Sequence, residues 1–378
     1  MSAARQRRGV LALVPDDWDV AWQRRHQVLT RLAGYCPVAW ISPALHWRER
    51  LRQRNALKPP RAVATSRLFM LTSRDDLPTV NAPRQLRDAI VRRRARLGAM
   101  WLRDQGCEAI ELQIWLPELA VALDVIDHAS VSYHIDDEYS WSTIDAPLPD
   151  EERRLIERVD RVYVTSRKLL ETKGGINPNT LVSPNGVDYA LFSTPRTEPD
   201  DLARVPQPRA GYVGVLKEQV DWDLLIALAT TRSDWSFVIV GPVRGVHESV
   251  HESLAALTRL ANVYMLGEKS PQALPAYVQA MDVALLPYRR NAYTDAIDPL
   301  KLYEALAAGI PVVSTPIRTV LEMEDAVMTA DGAEQWSEAL SSAIDSRSND
   351  RRAKGQRIAR EHDWNIIVAR MAESIARG

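Results

Sequence analysis

The residues with the clearest chemical potential lie within residues 282–316, where a polar loop separates two apolar runs. We expect Asp298 to cap a helix that has Pro299 as its first residue. The first turn of such a helix presents unbonded N–H groups and the positive end of its dipole, and both attract anions. Lys301 adds a cation on that turn, and Glu304, one turn later, can accept hydrogen bonds from two hydroxyl groups of a ribose. The spacing predicts an anion site. The alternative is a surface ion pair between Lys301 and Glu304.

Two further positions in the second half of the chain favour the same chemistry. Gly214 follows an apolar run, and Lys217 lies three residues later. Glycine permits a close approach of the backbone to a phosphate, although a simple turn explains a glycine here equally well. We also expect backbone contacts near Leu266 and Gly267 to determine which base a bound nucleotide carries.

Titratable residues in the first half of the chain are expected at the ends of strands. Asp136 and Asp137 follow one apolar run, and Asp16 follows the first one. Either residue of the aspartate pair could accept a proton from a hydroxyl group or hydrogen-bond to it, because ligands bind at the carboxyl ends of parallel strands. A helix N-cap or a solvated acidic loop is the alternative. His26 lies in a predicted helix, where it could orient a substrate, contact phosphate or be purely structural.

The formal charge of the chain hides a basic segment. The whole sequence has 48 Lys and Arg residues against 49 Asp and Glu residues, but residues 46–103 have 15 against 4. Upstream contributors to this segment include Arg54, Lys58 and Arg61. So strong a segregation favours an anionic partner such as membrane lipid, whereas nucleic acid is disfavoured because no recognition motif accompanies the charge. A solvated face without function is the alternative.

The basic segment contains a helix predicted over residues 84–103. One side of this helix is apolar, with Leu86, Ile90, Leu97 and Trp101. The opposite side is cationic, with Arg84, Arg92, Arg96 and Arg103. We expect the first side to pack into the core and the second to contact an acceptor or a membrane.

Alternating strands and helices must position these residues. The pattern predicts an α/β protein with two doubly wound domains, each a parallel sheet covered by helices. The clearest strands are expected over residues 209–213, 283–286 and 312–314. We predict a first domain over 1–192, a Pro-rich linker over 193–208, a second domain over 209–360, and a last helix over 361–378 that returns to the first domain. Ligands are expected in the cleft between the carboxyl ends of both sheets.

Composition excludes several classes of protein. A chain of 378 residues with 46% hydrophobic and 26% charged residues is typical of a soluble globular protein. Its two cysteines exclude a disulfide framework and favour a reducing compartment, and no Cys/His cluster has zinc-ligand spacing. The first apolar run ends at Pro15, too short for a signal peptide or a membrane span. We expect a cytoplasmic protein without metal or cofactor, and the basic segment favours a peripheral position at the inner face of the cell membrane.

The segment PLKLYEALAAGIPVVST, at residues 299–315, resembles the nucleotide-sugar signature of retaining GT-B glycosyltransferases, which include glycosyltransferase family four. The segments VSPNGVDYALF and RAGYVGVLKEQVDWDLL are similar to the family's inter-domain segment and to its first donor-domain strand and loop. The resemblance implies that Glu304 binds the donor ribose, while the helix start, with Asp298, Leu300 and Lys301, holds the diphosphate.

One departure from the family pattern concerns the donor sugar. Family members commonly have a glutamate eight positions before Glu304, where this chain has Ala296. Asp295 or Asp298 could substitute for it, so the residue that contacts the sugar stays open.

The resemblance implies a glycosyltransferase that moves a sugar from a nucleoside-diphosphate sugar to a hydroxyl of a glycan or of a polyprenyl-diphosphate-linked acceptor. Retention of configuration is implied as well, and Lys217 and Lys301 are expected to do the work of a metal. Two alternatives stay open. One is an enzyme like the nucleotide-sugar 2-epimerases, which share the two-domain architecture, and the other is a non-catalytic nucleotide-sugar-binding scaffold at the membrane.

Overall fold

The structure is a computed structural model that describes residues 7–20, 22–52, 67–80, 83–138, 149–243, 248–345 and 349–377. Contacts divide the chain into two compact units. Unit 1 comprises Met1–Ser183 and Asn365–Gly378, and unit 2 comprises Pro184–Trp364. Each unit has its own parallel sheet, which confirms the predicted α/β class.

Unit 1 is built on seven strands. They are β1 (Arg8–Leu13), β2 (Val38–Ile41), β3 (Leu68–Leu71), β4 (Ala109–Ile114), β5 (Ser130–Ile135), β6 (Arg161–Val164) and β7 (Thr180–Val182). All neighbours pair in parallel in the order β3-β2-β1-β4-β5-β6-β7. Because helices cover both faces of such a sheet, every residue of the central strands β4 and β5 is buried, including the polar Glu111, Gln113 and His134.

Unit 2 is built on six strands. They are β8 (Arg209–Val213), β9 (Ser236–Val240), β10 (Val263–Gly267), β11 (Val283–Leu286), β12 (Val312–Ser314) and β13 (Met328–Thr329). They pair in parallel in the order β10-β9-β8-β11-β12-β13. The order reverses between β8 and β11, the kind of switch point at which doubly wound sheets bind ligands.

Helices connect the strands of both units. In unit 1 they are α1 (Arg24–Leu32), α2 (Trp47–Arg52), α3 (Arg84–Asp104), α4 (Asp150–Arg158), α5 (Arg167–Lys173) and a 3-10 helix (Pro117–Ala122). In unit 2 they are α6 (Tyr189–Ser193), α7 (Trp222–Thr231), α8 (Glu248–Leu257), α9 (Leu274–Gln279), α10 (Ala292–Ala296), α11 (Leu300–Ala308), α12 (Arg318–Leu321), α13 (Gly332–Asp345) and α14 (Asn349–Glu361). The last helix, α15 (Trp364–Arg377), lies almost entirely in unit 1. Within the described residues, no helix is long and apolar enough to cross a membrane.

The buried side of α3 differs from the predicted one. Leu86 is 49% exposed, whereas Arg94 and Gly98 are buried. A Cβ atom at Gly98 would lie 2.6 Å from Leu11 and 2.7 Å from Ile41, so the helix approaches the sheet most closely at its small residues. The prediction from large apolar residues was wrong at Leu86 because it overlooked this close contact.

The segment 193–208, for which the sequence predicts a linker, lies inside unit 2. Leu202 and Val205 are buried against Val238 and Val240. The buried guanidinium of Arg209 donates two hydrogen bonds to the Val205 carbonyl, at 2.9 and 2.6 Å. Sparse apolar residues without periodicity are therefore enough to fix this segment to the sheet.

Candidate active site

The ammonium group of Lys301 lies at the carboxyl end of β8. Its Nζ atom lies 2.8 Å from the hydroxyl oxygen of Tyr212 and 4.4 Å from the centre of that ring, and it lies 5.3 Å from the ring centre of Tyr288. Tyr212 donates its own proton to the carbonyl of Val215 at 2.9 Å, so its oxygen accepts the bond from Lys301. Both rings hold the positive charge in place through cation–π attraction.

Gly214 and Gly241 lie close together at the ends of β8 and β9. Gly214 has a φ of 154°, and a Cβ atom there would lie 2.7 Å from Cε and 3.0 Å from Nζ of Lys301. Gly241 has a φ of 144°, and a Cβ atom there would lie 2.0 Å from the carbonyl oxygen of Gly214. The Gly241 N–H donates to the carbonyl of Gly267 at 2.9 Å. Side chains are excluded from these strand ends, which leaves Lys301 directly against backbone.

Helix α11 begins one residue later than predicted, because Pro299 rather than Asp298 is its N-cap residue. The Asp298 carboxylate instead accepts hydrogen bonds from the backbone N–H of Asn185 at 2.6 Å and from the hydroxyl of Tyr303 at 2.8 Å. Within the described part of the chain, no side chain caps the first turn of α11. The helix start keeps its attraction for anions, while Asp298 has a structural task that the sequence did not indicate.

Glu304 lies on α11 one turn after Lys301 and is partly buried. Burial raises the pKa of its carboxyl from 4.5 to about 7, and the positive charge of Lys301 opposes this rise. The two side chains, both described, do not form the ion pair that was the alternative interpretation, and both line a small pocket beside Gly211 and Val213. Neither side chain is therefore neutralised by the other.

The other predicted donor-binding residues lie in loops of unit 2. Lys217 is exposed, and its carbonyl accepts a hydrogen bond from the Trp222 indole at 3.2 Å. Leu266 is partly buried against the core, and Ala296 is 3% exposed. Asp295 lies beside Ala296 on α10 and is partly buried, so the substitution considered for the missing glutamate stays a prediction.

A larger cavity lies at the opposite, amino-terminal edge of this sheet. Its volume is about 340 Å³, and its walls include Gly309, Arg351 and Arg352. None of the residues predicted to bind the donor lines it, so a search by cavity size alone would select a different region from the predicted donor site.

His26 is a buried cap of α1. Its Nδ1 atom accepts the N–H of Gln23 at 3.2 Å, so Nε2 carries the proton and donates to the Trp18 carbonyl at 3.2 Å. Burial lowers the pKa of His26 to about 4, with a smaller contribution from Arg25. Both ring nitrogens have backbone partners in unit 1, and a catalytic role for this residue stays a prediction.

Asp136 and Asp137 differ sharply in environment. Asp136 is paired with the buried Arg24 at 3.3 Å and with Arg25 at 3.4 Å, and burial raises its pKa while the two arginines oppose the rise. Asp16 forms an ion pair with Arg25 as well. Asp137 is exposed. Of these three carboxylates, Asp137 is the one that the structure leaves at the surface.

The positive charge of the cationic stripe on α3 is partly compensated by neighbouring carboxylates. Arg84 pairs with Glu151 at 2.6 Å, and Arg103 pairs with Asp127 at 3.2 Å. Arg96 is exposed and Arg92 is partly buried. Arg54, Lys58 and Arg61 lie outside the described residues.

Arg94 and Lys173 are buried cations that were not predicted from the sequence. Arg94 donates hydrogen bonds to the carbonyls of Ser42, Leu71, Thr72 and Asp75 at 2.6 to 3.2 Å. Lys173 is 2% exposed and pairs with two glutamates. Arg94 lies four positions after Ile90 and four before Gly98, on the buried side of α3, so the helical period carried a signal for its burial. The described residues contain no cluster of three or more His, Cys, Asp or Glu side chains that could hold a metal ion.

The family match found by comparison with known sequences lies within the second unit. Residues 207–346 match the family described as Glycosyl transferases group 1. TuaH of Bacillus subtilis (strain 168), named for teichuronic acid biosynthesis, is 31% identical over 231 residues, which make up 57% of this chain and 56% of that protein. LpsB of Rhizobium meliloti (strain 1021), named a lipopolysaccharide core biosynthesis mannosyltransferase, is 27% identical over 59% of this chain and 66% of that protein. The chain thus matches between half and two thirds of each relative's length.

Comparison with solved structures concerns the whole chain. Sucrose-phosphate synthase (tll1590) from Thermosynechococcus elongatus superposes with a TM-score of 0.73 and 16% identity, over 98% of this chain and 99% of that chain. Anabaena Alr3699/HepE, solved in complex with UDP and glucose, gives a TM-score of 0.67 and 16% identity over 97% and 99%. At this identity the similarity shows the fold. The chain has the GT-B fold of two Rossmann-like domains, and its residues 207–346 match the Glycosyl transferases group 1 family.

Proposed function

We propose that this protein is a glycosyltransferase that moves a sugar from a nucleoside-diphosphate sugar to a hydroxyl of a glycan or lipid-linked acceptor. The observation that carries the proposal is the position of Lys301, which belongs to the first turn of α11 and lies against Gly214. The names of TuaH and LpsB, which refer to teichuronic acid and lipopolysaccharide core synthesis, support a glycan or lipid-linked acceptor. The UDP bound to HepE supports a nucleotide donor.

The proposed chemistry depends on charge that develops on the leaving group. As the bond to the sugar breaks, negative charge grows on the diphosphate oxygens. The helix start and Lys301 are fixed before the reaction, so they stabilise this charge without reorganising, and one such donor is typically worth about 3–4 kcal/mol. Lys217 supplies a second cation from its exposed loop. We propose that these two lysines do the work of a metal ion, and that configuration at the sugar is retained.

Glu304 is proposed to bind the donor ribose. Its carboxylate can accept two hydroxyl hydrogen bonds, and its partly buried position makes such bonds strong once a ligand excludes water. Leu266 and Gly267 are proposed to contact the base through their backbone, and Leu300, at the start of α11, is proposed to contribute to the diphosphate site.

A donor panel tests the proposed function. UDP-, GDP- and dTDP-sugars are offered with and without a hydroxyl acceptor, and nucleoside diphosphate release is measured. Transfer predicts release that the acceptor stimulates, whereas a sugar isomer formed without release would indicate an epimerase, and neither product would indicate a binding scaffold. In calorimetry Lys301→Met should weaken donor binding at least tenfold, and Lys354→Met, a partly exposed lysine of α14, should leave it unchanged. Equal donor affinity in both variants would contradict the assignment.

We further propose that unit 1 binds an anionic membrane surface from the cytoplasmic side. Trp47 and Leu51 of α2 are 42% and 59% exposed beside basic residues, and Arg96 is exposed on α3. Each cation near an anionic leaflet contributes about 1 kcal/mol. Co-sedimentation with anionic vesicles should exceed that with neutral vesicles and should fall in Arg92→Gln/Arg96→Gln. Indifference to vesicle charge would refute the proposal.

A further inference from the structure

The loop that follows β5 is held by buried charges on both sides of Asp137. The residues concerned, Asp136 and Glu138, belong to unit 1, as do all of their partners named here. Asp137 between them is exposed. Residues 136 and 138 are therefore the two anchors of the described start of this loop, and Asp137 lies between them at the surface.

The first anchor of this loop is Asp136. Its carboxylate oxygens lie 3.3 Å from Nε of Arg24 and 3.4 Å from an Nη of Arg25, and these arginines are 3% and 5% exposed. Its carbonyl accepts the hydroxyl of Thr165 at 2.9 Å. Removing this carboxylate would leave two buried guanidinium groups with less compensation, so Asp136 is tied to the core of unit 1.

The second anchor is Glu138. The Nζ atom of Lys173 lies 3.0 Å from a Glu138 oxygen and 2.8 Å from a Glu152 oxygen. Lys173 and Glu152 are almost fully buried, and the hydroxyl of Tyr133 donates to the same Glu152 oxygen at 3.1 Å. Lys173 thus joins two helices and the loop at one point.

Charge balance shows which of these bonds is dispensable for folding. A buried ammonium requires a carboxylate, because an uncompensated buried charge is strongly destabilising. Glu152, from the first turn of α4, already meets that requirement. Glu138 adds a second carboxylate from a loop, and its side chain retains contact with solvent. Its bond to Lys173 therefore fixes the loop more than it neutralises the lysine.

We infer that Lys173 is a positioning residue which, through Glu138, holds Asp137 in place to contact the acceptor hydroxyl, with Asp136 as the opposite anchor. This inference rests on the proposed function. It divides the aspartate pair by role, since Asp137 touches substrate whereas Asp136 fixes the backbone.

The experiment compares three changes at the lysine anchor. Glu138→Ala removes the loop's bond, and Glu138→Gln keeps an oxygen that can accept from Lys173. Lys173→Met/Glu152→Gln removes the buried ammonium together with its buried carboxylate and leaves Glu138 in contact with solvent. Glu157→Ala, an exposed acid on α4, is the control. Hydrogen exchange of the amides at 136–138 should accelerate in the first and third variants and stay unchanged in the control, which tests the positioning independently of activity.

Kinetics test the link to transfer. Glu138→Ala and the double variant should lower kcat/KM for the acceptor at least tenfold, since small misplacements of a contacting group are costly. Glu138→Gln should recover part of the loss. Donor affinity and acceptor-independent donor hydrolysis should not change. Unaltered exchange and acceptor kinetics in both variants would overturn the inference, as would parallel loss of donor hydrolysis and transfer. A wild-type protein that binds no donor would instead refute the proposed function, while the exchange result would still decide the positioning.

Discussion

Replacing Glu304 by Gln should stabilise the protein above pH 7 while it weakens donor binding. Burial raises the pKa of this carboxyl from 4.5 to about 7 in the folded protein. The folded state therefore holds the proton more tightly than the unfolded state does. Between pH 4.5 and about 7, stability falls as pH rises, and the full cost of the buried charge is present above that range.

The size of this cost follows from the two pKa values. Since a tenfold change in proton affinity corresponds to about 1.4 kcal/mol, the difference between 4.5 and about 7 corresponds to roughly 3 kcal/mol. This is an upper bound, because Glu304 is only partly buried. Glutamine has nearly the same shape without the charge, so Glu304→Gln should gain on the order of 1–3 kcal/mol at pH 8 and little at pH 4.5.

Urea unfolding at pH 4.5, 6 and 8 measures the stability of both proteins, and calorimetry with UDP measures donor binding. Wild-type affinity should fall about tenfold between pH 8 and pH 6, because a carboxyl with a pKa of about 7 is roughly one-tenth ionised at pH 6. The variant should bind more weakly at pH 8 and lack this pH dependence. A variant less stable than wild type at pH 8, or one with wild-type affinity for UDP, would refute the argument.

Three further changes test the remaining geometry. Gly214→Ala should weaken UDP binding at least tenfold by calorimetry, because its φ of 154° is strained for alanine and its Cβ would displace Lys301. Arg94→Met should lose about 3 kcal/mol or more in urea unfolding, since several buried carbonyls lose their donor, whereas the half-exposed Arg93→Met should lose less than about 1 kcal/mol. As the pH falls from 6.5 to 4, the free energy of unfolding of the wild-type protein should fall by up to roughly 3 kcal/mol, because the unfolded state takes up a proton on His26 that the folded state excludes. His26→Gln should lack this loss of stability. Equal pH dependence of the two unfolding curves would contradict the last expectation.

Much of the fold could be predicted from the sequence, because the spacing of apolar residues and the local composition indicate which segments are buried. The strands predicted over 209–213, 283–286 and 312–314 are β8, β11 and β12 without a shift. Short connecting helices such as α10 and α12 were not predicted, since four or five residues carry too little periodicity. The segment 193–208 was misjudged for a related reason, because a few apolar residues bury it without a regular pattern.

Site residues were harder to predict because residue type does not show which partners a side chain already has. The sequence placed Lys301 and Glu304 near each other through helical spacing, and the structure brings both to one pocket. It could not show that Asp298 binds the segment containing Asn185, more than a hundred positions away. Nor could it show that Asp136 faces two buried arginines, since neither contact is local in sequence.

In this protein, the capacity of a side chain for further hydrogen bonds distinguishes a ligand-binding group from a structural one. An ammonium group has three N–H donors, and Lys301 donates one of them to the hydroxyl of Tyr212. The rings of Tyr212 and Tyr288 also contact the ammonium group and orient it through cation–π attraction. His26, in contrast, has a backbone partner on each ring nitrogen. Lys301 is therefore held firmly and left able to donate, which is the combination that a leaving diphosphate requires.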